Sequence, residues 1–213
     1  MDFIDEKINS YAEAHSQPES DLLARLSRET YTKVLAPRML SGHLQGRVLS
    51  MFSKMIRPKS ILEIGTYTGY SAICLAEGLA PEGKLYTIDI NEELEDMAKR
   101  YFDEAGILSQ VDYRAGNALD IIPTIEATFD LVFIDADKIN YPQYFDQIIG
   151  KVSKNGLIIA DNVLWSGKVL NESSNLDKDT LAIVDFNKKV HEDDRVENVL
   201  FPLRDGLMVL RKK

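Results

Sequence analysis

Two short acidic clusters carry the strongest chemical signal in this chain. They are Phe129-Asp-Leu-Val-Phe-Ile-Asp-Ala-Asp-Lys138 and Gly156-Leu-Ile-Ile-Ala-Asp-Asn162, and each runs out of an apolar strand pattern. Adjacent parallel strands would bring Asp135, Asp161 and Asn162 together at one carboxyl edge. Two bare carboxylates there repel each other. A hard divalent cation resolves the repulsion. Three protein oxygens plus water or substrate oxygens give the octahedral set that Mg²⁺ prefers, and Mn²⁺ or Ca²⁺ takes similar donors. Strand-end acids also cap helices or face solvent, but two clusters on consecutive core strands suit that reading less than one would. His15, His43 and His191 are scattered, so no zinc site is indicated. Lys138 follows Asp135 by three positions. A neighbouring divalent cation favours the neutral amine, which can take a proton from a hydroxyl. The same lysine could instead pair with Asp137 at the surface.

The stretch from Lys59 to Ser71 forms a second constellation. An apolar run from Ile61 to Ile64, containing Glu63, leads to Gly65 and Gly69, and a helical pattern from Ser71 to Leu79 follows at once. A strand, a tight turn and a helix start mark the place where open α/β sheets bind nucleotide-like ligands. A dinucleotide fingerprint needs glycine where this chain has Tyr67 and Tyr70, whose side chains would block a pyrophosphate. A wider loop preceded by an acid suits a ligand without phosphate and with a cationic amino-acid end, and S-adenosylmethionine is the candidate. An ordinary turn would also use glycine for its positive φ. Asp89 ends the next strand pattern, 24 residues beyond Gly65. An acid there can accept both hydroxyls of a ribose, or it can cap the helical turn that follows. Small residues at 115, 116 and 118, Ala118 among them, leave room for a flat adenine, whereas Asn117 also reads as a helix cap.

The elements that must position these residues are legible from periodicity. Helical patterns cover 2–15, 19–35 and about 42–56. The third places Leu44, Val48, Leu49, Phe52 and Met55 on one side. Strands are predicted near 60–64, 84–89, 111–115, 129–134 and 156–161, with helices near 70–80, 92–105, 117–127, 141–152 and 178–192. This alternation implies right-handed crossovers and a mostly parallel α/β sheet. Residues 196–201 and 207–210 flank Pro-Leu-Arg-Asp-Gly, and two strands joined so briefly must be antiparallel. The chain reads as one domain, with a helical cap over 1–57 and an α/β core over 58–213.

Composition agrees with a soluble enzyme: 45% of the 213 residues are hydrophobic and 28% charged. A net charge of −9 does not attract phosphate backbones on average. The single cysteine, Cys74, reads as a small core residue and permits no intramolecular disulfide. No apolar run approaches the roughly 18 residues of a membrane span, and the start, Met-Asp-Phe-Ile-Asp-Glu, is acidic where a signal peptide is basic. The expectation is a cytoplasmic protein.

Glu63-Ile-Gly-Thr-Tyr-Thr-Gly-Tyr-Ser71, Phe133-Ile-Asp-Ala-Asp-Lys138 and Asp161-Asn-Val-Leu-Trp-Ser-Gly167 together resemble the cation-dependent O-methyltransferases, the family of plant caffeoyl-CoA and animal catechol O-methyltransferases. The likeness runs from about residue 20 to the end and includes Pro202-Leu-Arg-Asp-Gly206. It implies a Rossmann-like, seven-stranded S-adenosylmethionine-dependent methyltransferase sheet with a C-terminal antiparallel hairpin, and a homodimer. By motif, Glu63, Gly65, Thr66, Ser71, Asp89 and Ala118 would hold the cofactor, with Met39 and Ser41 at its methionine end and Asp137 on its amino group. Asp135, Asp161 and Asn162 would bind the metal, Asp135 would also touch the cofactor and share the catalytic role, and Lys138 would be the base. The implied reaction methylates one hydroxyl of a vicinal diol, such as a catechol or related phenol. Two departures from the plant pattern fall near the expected acceptor side: Ser166 after the motif tryptophan, and Gly42-His-Leu-Gln45 in place of an acidic run.

Two other readings remain open at this level. Some bacterial proteins resembling the family methylate a hydroxylated uridine in tRNA. Arg38, Arg47, Arg57 and Lys59 are expected near the active edge, where they could form the local basic patch that this needs. A non-catalytic cofactor-binding protein is the other, and the joint presence of Asp135, Lys138, Asp161 and Asn162 argues against it.

Overall fold

A computed structural model describes residues 5–171 and 176–213. At its centre lie β1 (Ser60–Ile64), β2 (Lys84–Asp89), β3 (Val111–Ala115), β4 (Phe129–Ile134), β5 (Val152–Asp161), β6 (Val196–Phe201) and β7 (Leu207–Lys212). They form one seven-stranded sheet in the order β3-β2-β1-β4-β5-β7-β6. The first five strands are parallel, and β7 runs antiparallel to both β5 and β6. The chain lays β2 on one side of β1 and β4 on the other. Strand order therefore reverses at β1, which opens a crevice at the carboxyl ends of β1 and β4.

Eight α-helices lie among the described residues: α1 (Glu6–Ala14), α2 (Asp21–Lys33), α3 (His43–Ile56), α4 (Tyr70–Ala76), α5 (Glu95–Glu104), α6 (Ala118–Ile121), α7 (Tyr141–Ile149) and α8 (Lys178–Glu192). The two-residue alternation of the strands sorts them onto two faces. Leu62, Ile64, Val132 and Ile134 share a core with Tyr141 and Phe145 of α7 and Ile183 and Phe186 of α8. Ile61, Leu131 and Phe133 share the other with Leu23 and Leu26 of α2, Leu49 of α3 and Phe102 of α5. Covered on both sides, the central strands are apolar at nearly every position. No described helix is long and apolar enough to cross a membrane.

The expected elements form, with differences that have local causes. Helix α1 spans Glu6–Ala14, and residues 2–4 of the expected helix lie outside the described residues. The helix expected over 117–127 ends at Ile121 and gives way to a 3₁₀ turn over Ile122–Thr124. Pro123 lacks the N–H that a continuing α-helix would need. Helix α4 stops at Ala76, short of 80. At Gly78 a Cβ would lie 2.2 Å from the Ser53 carbonyl carbon, so the turn packs directly on the backbone of α3. Strand β5 starts at Val152 rather than 156, because Val152 pairs with Phe129 across a register shift. On α3 the buried face is Gln45, Gly46, Leu49, Ser50 and Ser53, while Met55 is exposed. Gly46 sits against Tyr70 and Cys74, and Ser53 Oγ donates to the Leu75 carbonyl at 2.5 Å. Close helix contact has selected small and polar residues there over the larger apolar ones.

Gly65 connects the fold to the site. Its φ is +100°, and a Cβ would lie 1.9 Å from the Asp135 carbonyl oxygen. Gly65→Ala should therefore lower the melting temperature by on the order of 10 °C or more, because main chain must move to admit one methyl group. Gly150→Ala, where an added Cβ meets nothing within 4 Å, should shift it by about 2 °C at most. Thermal unfolding of the two variants side by side checks the contrast.

Candidate active site

The register of β4 on β5 pairs Ile134 with Ala160 and so brings the next residues, Asp135 and Asp161, to neighbouring strand ends. Asp161 is only 3% exposed. Its Oδ2 accepts a hydrogen bond from Gln45 Nε2 at 2.7 Å, and its Oδ1 accepts one from the Asn162 N–H at 2.7 Å. Burial pushes the Asp161 carboxyl up and Asp135 pushes it further, against the pull of Lys138, Gln45 and Arg204. Asn162 follows in a left-handed conformation, φ 58°. Among the described residues no group of three or more His, Cys, Asp or Glu converges. A cation here would rest on two carboxylates and an amide, with non-protein oxygens completing the shell. Such all-oxygen donors fit a hard divalent ion, and a buried carboxyl pushed up by burial and by a neighbouring carboxylate is the electrostatic setting that such an ion relieves.

Lys138 belongs to this edge and is 7% exposed. Its Nζ lies 3.1 Å from Asp135 Oδ1 and donates to Tyr141 Oη at 2.6 Å. The surface pairing with Asp137 does not form. Asp137 instead accepts from Tyr144 Oη and from Asn140 Nδ2, each at 2.5 Å. Tyr141 is a site residue that its sequence context did not reveal. Its hydroxyl lies 3.2 Å from the Ile134 carbonyl and 3.1 Å from that of Asp161, so it bridges the ends of β4 and β5. Burial raises its phenol well above the usual range and keeps it protonated. Trp165 flanks Lys138, with Nζ 5.9 Å from its ring centre.

The second cluster gathers at the ends of β1 and β2. Glu63 is fully buried, with Oε1 accepting from Ser71 Oγ and Oε2 from Thr87 Oγ1, both at 2.6 Å. Thr87 in turn shares a 2.5 Å hydrogen bond with Thr66. Asp89 does not cap the turn over 92–94, because Asn91 does so by accepting from the Glu93 N–H at 3.0 Å. Asp89 accepts instead from the N–H groups of Tyr67 at 2.5 Å and Asn91 at 2.8 Å, so it holds the glycine loop while retaining lone pairs for a further donor. Ala118 is buried at the start of α6, and Asn117 caps that helix through Leu119 N–H. Met39 is exposed in the 3₁₀ turn Pro37–Met39, and Ser41 is buried just beyond it.

The basic residues do not assemble. Arg47 pairs with Glu77 at 2.6 Å between α3 and α4, and Lys59 precedes β1 at the end opposite the crevice. Of the four only Arg38 adjoins the Met39–Ser41 segment.

A family model described as O-methyltransferase matches residues 13–213. The chain belongs to the O-methyltransferase family. Caffeoyl-CoA O-methyltransferase of Petroselinum crispum is 34% identical over 179 residues, spanning 79% of this chain and 74% of that one. Caffeoyl-CoA O-methyltransferase 2 of Eucalyptus globulus is 36% identical over 179 residues, spanning 79% and 72%. Among solved structures, the O-methyltransferase TomG of Streptomyces achromogenes superposes with a TM-score of 0.89 at 27% identity, covering 97% of this chain and 96% of that chain. An O-methyltransferase from Bacillus cereus does so at 0.89 and 29% identity, covering 97% of each.

In this O-methyltransferase Glu63 yields a sign-defined test. Its carboxyl is raised from 4.5 to about 8; burial is the largest cause, Ser71 and Thr87 oppose it, and Asp89 and Asp135 add to it. The native protein keeps this proton to about pH 8, whereas the unfolded chain releases it near 4.5. The associated stability is present below the unfolded value and is lost as pH rises through the folded one. Glu63→Gln cannot ionise. The melting temperature of the ligand-free variant should gain on wild type by about 5 °C or more between pH 5 and pH 8.5. A gap independent of pH would mean that Glu63 is already ionised in the native state.

Proposed function

We propose that this O-methyltransferase moves the methyl group of S-adenosylmethionine to one hydroxyl of a vicinal diol, a catechol or related phenol, with a divalent cation held by Asp135, Asp161 and Asn162. The observation that carries the reading is the meeting of a buried and a half-buried carboxyl group with the Lys138 amino group at one strand edge. The Streptomyces and Bacillus relatives hold S-adenosylmethionine and its demethylated product, respectively, which supports the donor. The plant relatives act on caffeoyl-CoA by name, which supports a phenolic acceptor.

The chain's residues divide the work. Asp89 would accept the ribose hydroxyls, and Glu63, with Thr66 and Ser71, would shape the floor under the cofactor. Gly65 lets the main chain approach closely, and Ala118 leaves space for the adenine. Met39, Ser41 and Asp137 would bound the methionine end. A hard cation on Asp135, Asp161 and Asn162, Mg²⁺ or alternatively Mn²⁺ or Ca²⁺, supplies Lewis acidity to an acceptor hydroxyl when bound. Lys138 Nζ would then take the acceptor's proton, with Asp135 and Tyr141 fixing the amine in place. Holding the acceptor oxygen in line with the methyl group would be the protein's main contribution.

On this reading residues 1–57 cap, and 58–213 form, one methyltransferase domain. The cap is part of the site, since α3 lends Gln45 to Asp161. The resemblance also implies a homodimer, for which the exposed Met51 and Met55 on α3, whose Phe52 lies 6.4 Å from the exposed Phe201 of β6, would offer an apolar surface.

Two measurements test the reading. Chelation should abolish methylation across a panel of catechols while calorimetry still detects binding of S-adenosylhomocysteine, because Glu63 and Asp89 stand apart from the cation ligands. Full turnover without any divalent ion would refute the cation's role. Lys138→Met should lower kcat by roughly 10²- to 10⁴-fold with little change in the affinity for S-adenosylhomocysteine. Near-normal turnover in that variant would reduce Lys138 to a packing role.

A further inference from the structure

The Gly42–Gln45 run and the Pro202–Gly206 turn stand out in the sequence, yet the chemistry above uses neither. In the structure they touch each other and the strand edge. Arg204 Nη1 donates to Gln45 Oε1 at 3.0 Å, and Nη2 donates to the Leu40 carbonyl at 3.3 Å. Gln45, with no exposed surface, donates from Nε2 to Asp161 Oδ2 at 2.7 Å.

The polarity of this relay has one solution. A guanidinium only donates, so the amide oxygen of Gln45 must face Arg204. Its NH₂ group is then committed to the carboxylate. The other oxygen of Asp161 is held by the Asn162 N–H. Two donors thus fix the rotation of this carboxylate and leave its remaining lone pairs free.

Building on the proposed function, we propose that Gln45 is a positioning residue for cation binding, orienting the Asp161 carboxylate, and that Arg204 acts through Gln45 by fixing the sense of its amide. Arg204 also anchors the carbonyl of Leu40, beside Met39 and Ser41. The relay therefore joins the segment expected at the cofactor's methionine end to the cation edge.

The test measures Mn²⁺ binding to full-length protein saturated with S-adenosylhomocysteine, by electron paramagnetic resonance of free Mn²⁺ and by calorimetry. Gln45→Met keeps side-chain length and removes both polar contacts. It should bind Mn²⁺ roughly 10- to 100-fold more weakly, the range for groups that orient metal ligands. Its affinity for S-adenosylhomocysteine should stay within about two-fold of wild type, a separation that general unfolding would not produce. Arg204→Met should weaken Mn²⁺ binding in the same direction. The double variant should be no weaker than Gln45→Met alone, since Arg204 then has nothing to act through. Wild-type Mn²⁺ affinity in Gln45→Met, or additive losses in the double variant, would overturn the relay. If Gln45→Met does not fold, unchanged Mn²⁺ affinity in Arg204→Met overturns it equally. A wild-type protein that binds S-adenosylhomocysteine but no Mn²⁺ defeats the cation reading itself and the relay with it, a different result from intact binding in the variants.

Discussion

Two negative charges at the ends of neighbouring parallel strands are the constraint around which this site is built. Asp161 is buried and Asp135 half-buried. A buried charge without partners would cost several kcal/mol. The chain surrounds the pair with donors drawn from separate regions: Lys138 on Asp135, Gln45 from α3 on Asp161, and Arg204 from the β6–β7 turn behind Gln45. Compensation remains incomplete, since the Asp161 carboxyl is still pushed up. Burial, with Asp89 and Asp135 adding to it, pushes Glu63 in the same direction. Asp89, Asp135 and Asp161 thus place acids along the crevice from the end of β2 to the end of β5. On the proposed reading such a lining suits a sulfonium donor at one end and a divalent cation at the other, and it disfavours phosphate.

Main chain, more than side chains, holds the two halves of the crevice together. The Gly65 N–H bonds to the Ile88 carbonyl and the Asp135 N–H to that of Ile64, both at 2.8 Å, so the parallel ladders continue past the strand ends. The same turn presses Gly65 against the Asp135 carbonyl. Tyr141 closes the next interval, between β4 and β5. The glycine that reads as a ligand-binding feature therefore has an architectural cause as well. It lets the loop after β1 lie directly on the loop after β4.

Most of the sheet was legible because strand alternation, turn residues and short connections are local signals. The motif residues Glu63, Asp89, Asp135, Lys138 and Asp161 stood out for the same reason, each lying within or just beyond an apolar strand run. The buried face of α3 was legible only in part. Periodicity favours Leu44, Val48, Leu49, Phe52 and Met55, and Leu49 is buried, but the close approach of α4 also buries Gly46, Ser50 and Ser53 and leaves Met55 exposed. Gln45 lies on that same face, so misreading it conceals the partner of Asp161. Arg204 and Tyr141 were hidden for another reason. Arg204 stands 159 positions from Gln45, and Tyr141 is an ordinary helix-start aromatic until β4 and β5 are set side by side. Contacts of that range leave no periodic trace.

The loop after β5 is built differently from the glycine loop after β1. After β5 the chain turns through left-handed conformations at Asn162, Trp165, Ser166 and Gly167. Non-glycine residues adopt these at a cost on the order of 1 kcal/mol each, so the loop needs an external template. The β6–β7 turn provides it. Asp205 Oδ1 accepts from the Ser166 N–H at 2.5 Å, its carbonyl accepts from the Leu164 N–H at 2.9 Å, and the Gly206 carbonyl accepts from Val163 at 3.2 Å. At Gly206 a Cβ would lie 2.6 Å from Leu164 Cγ, so the contact is close enough to require glycine. The backbone of this loop is thus fixed by a remote turn, while the side chain of Ser166 is exposed. Such a loop can change its side chains without changing its course. On the proposed reading, acceptor preference can then diverge from that of the plant relatives at Ser166 while Glu63, Asp89 and the cation edge keep their geometry.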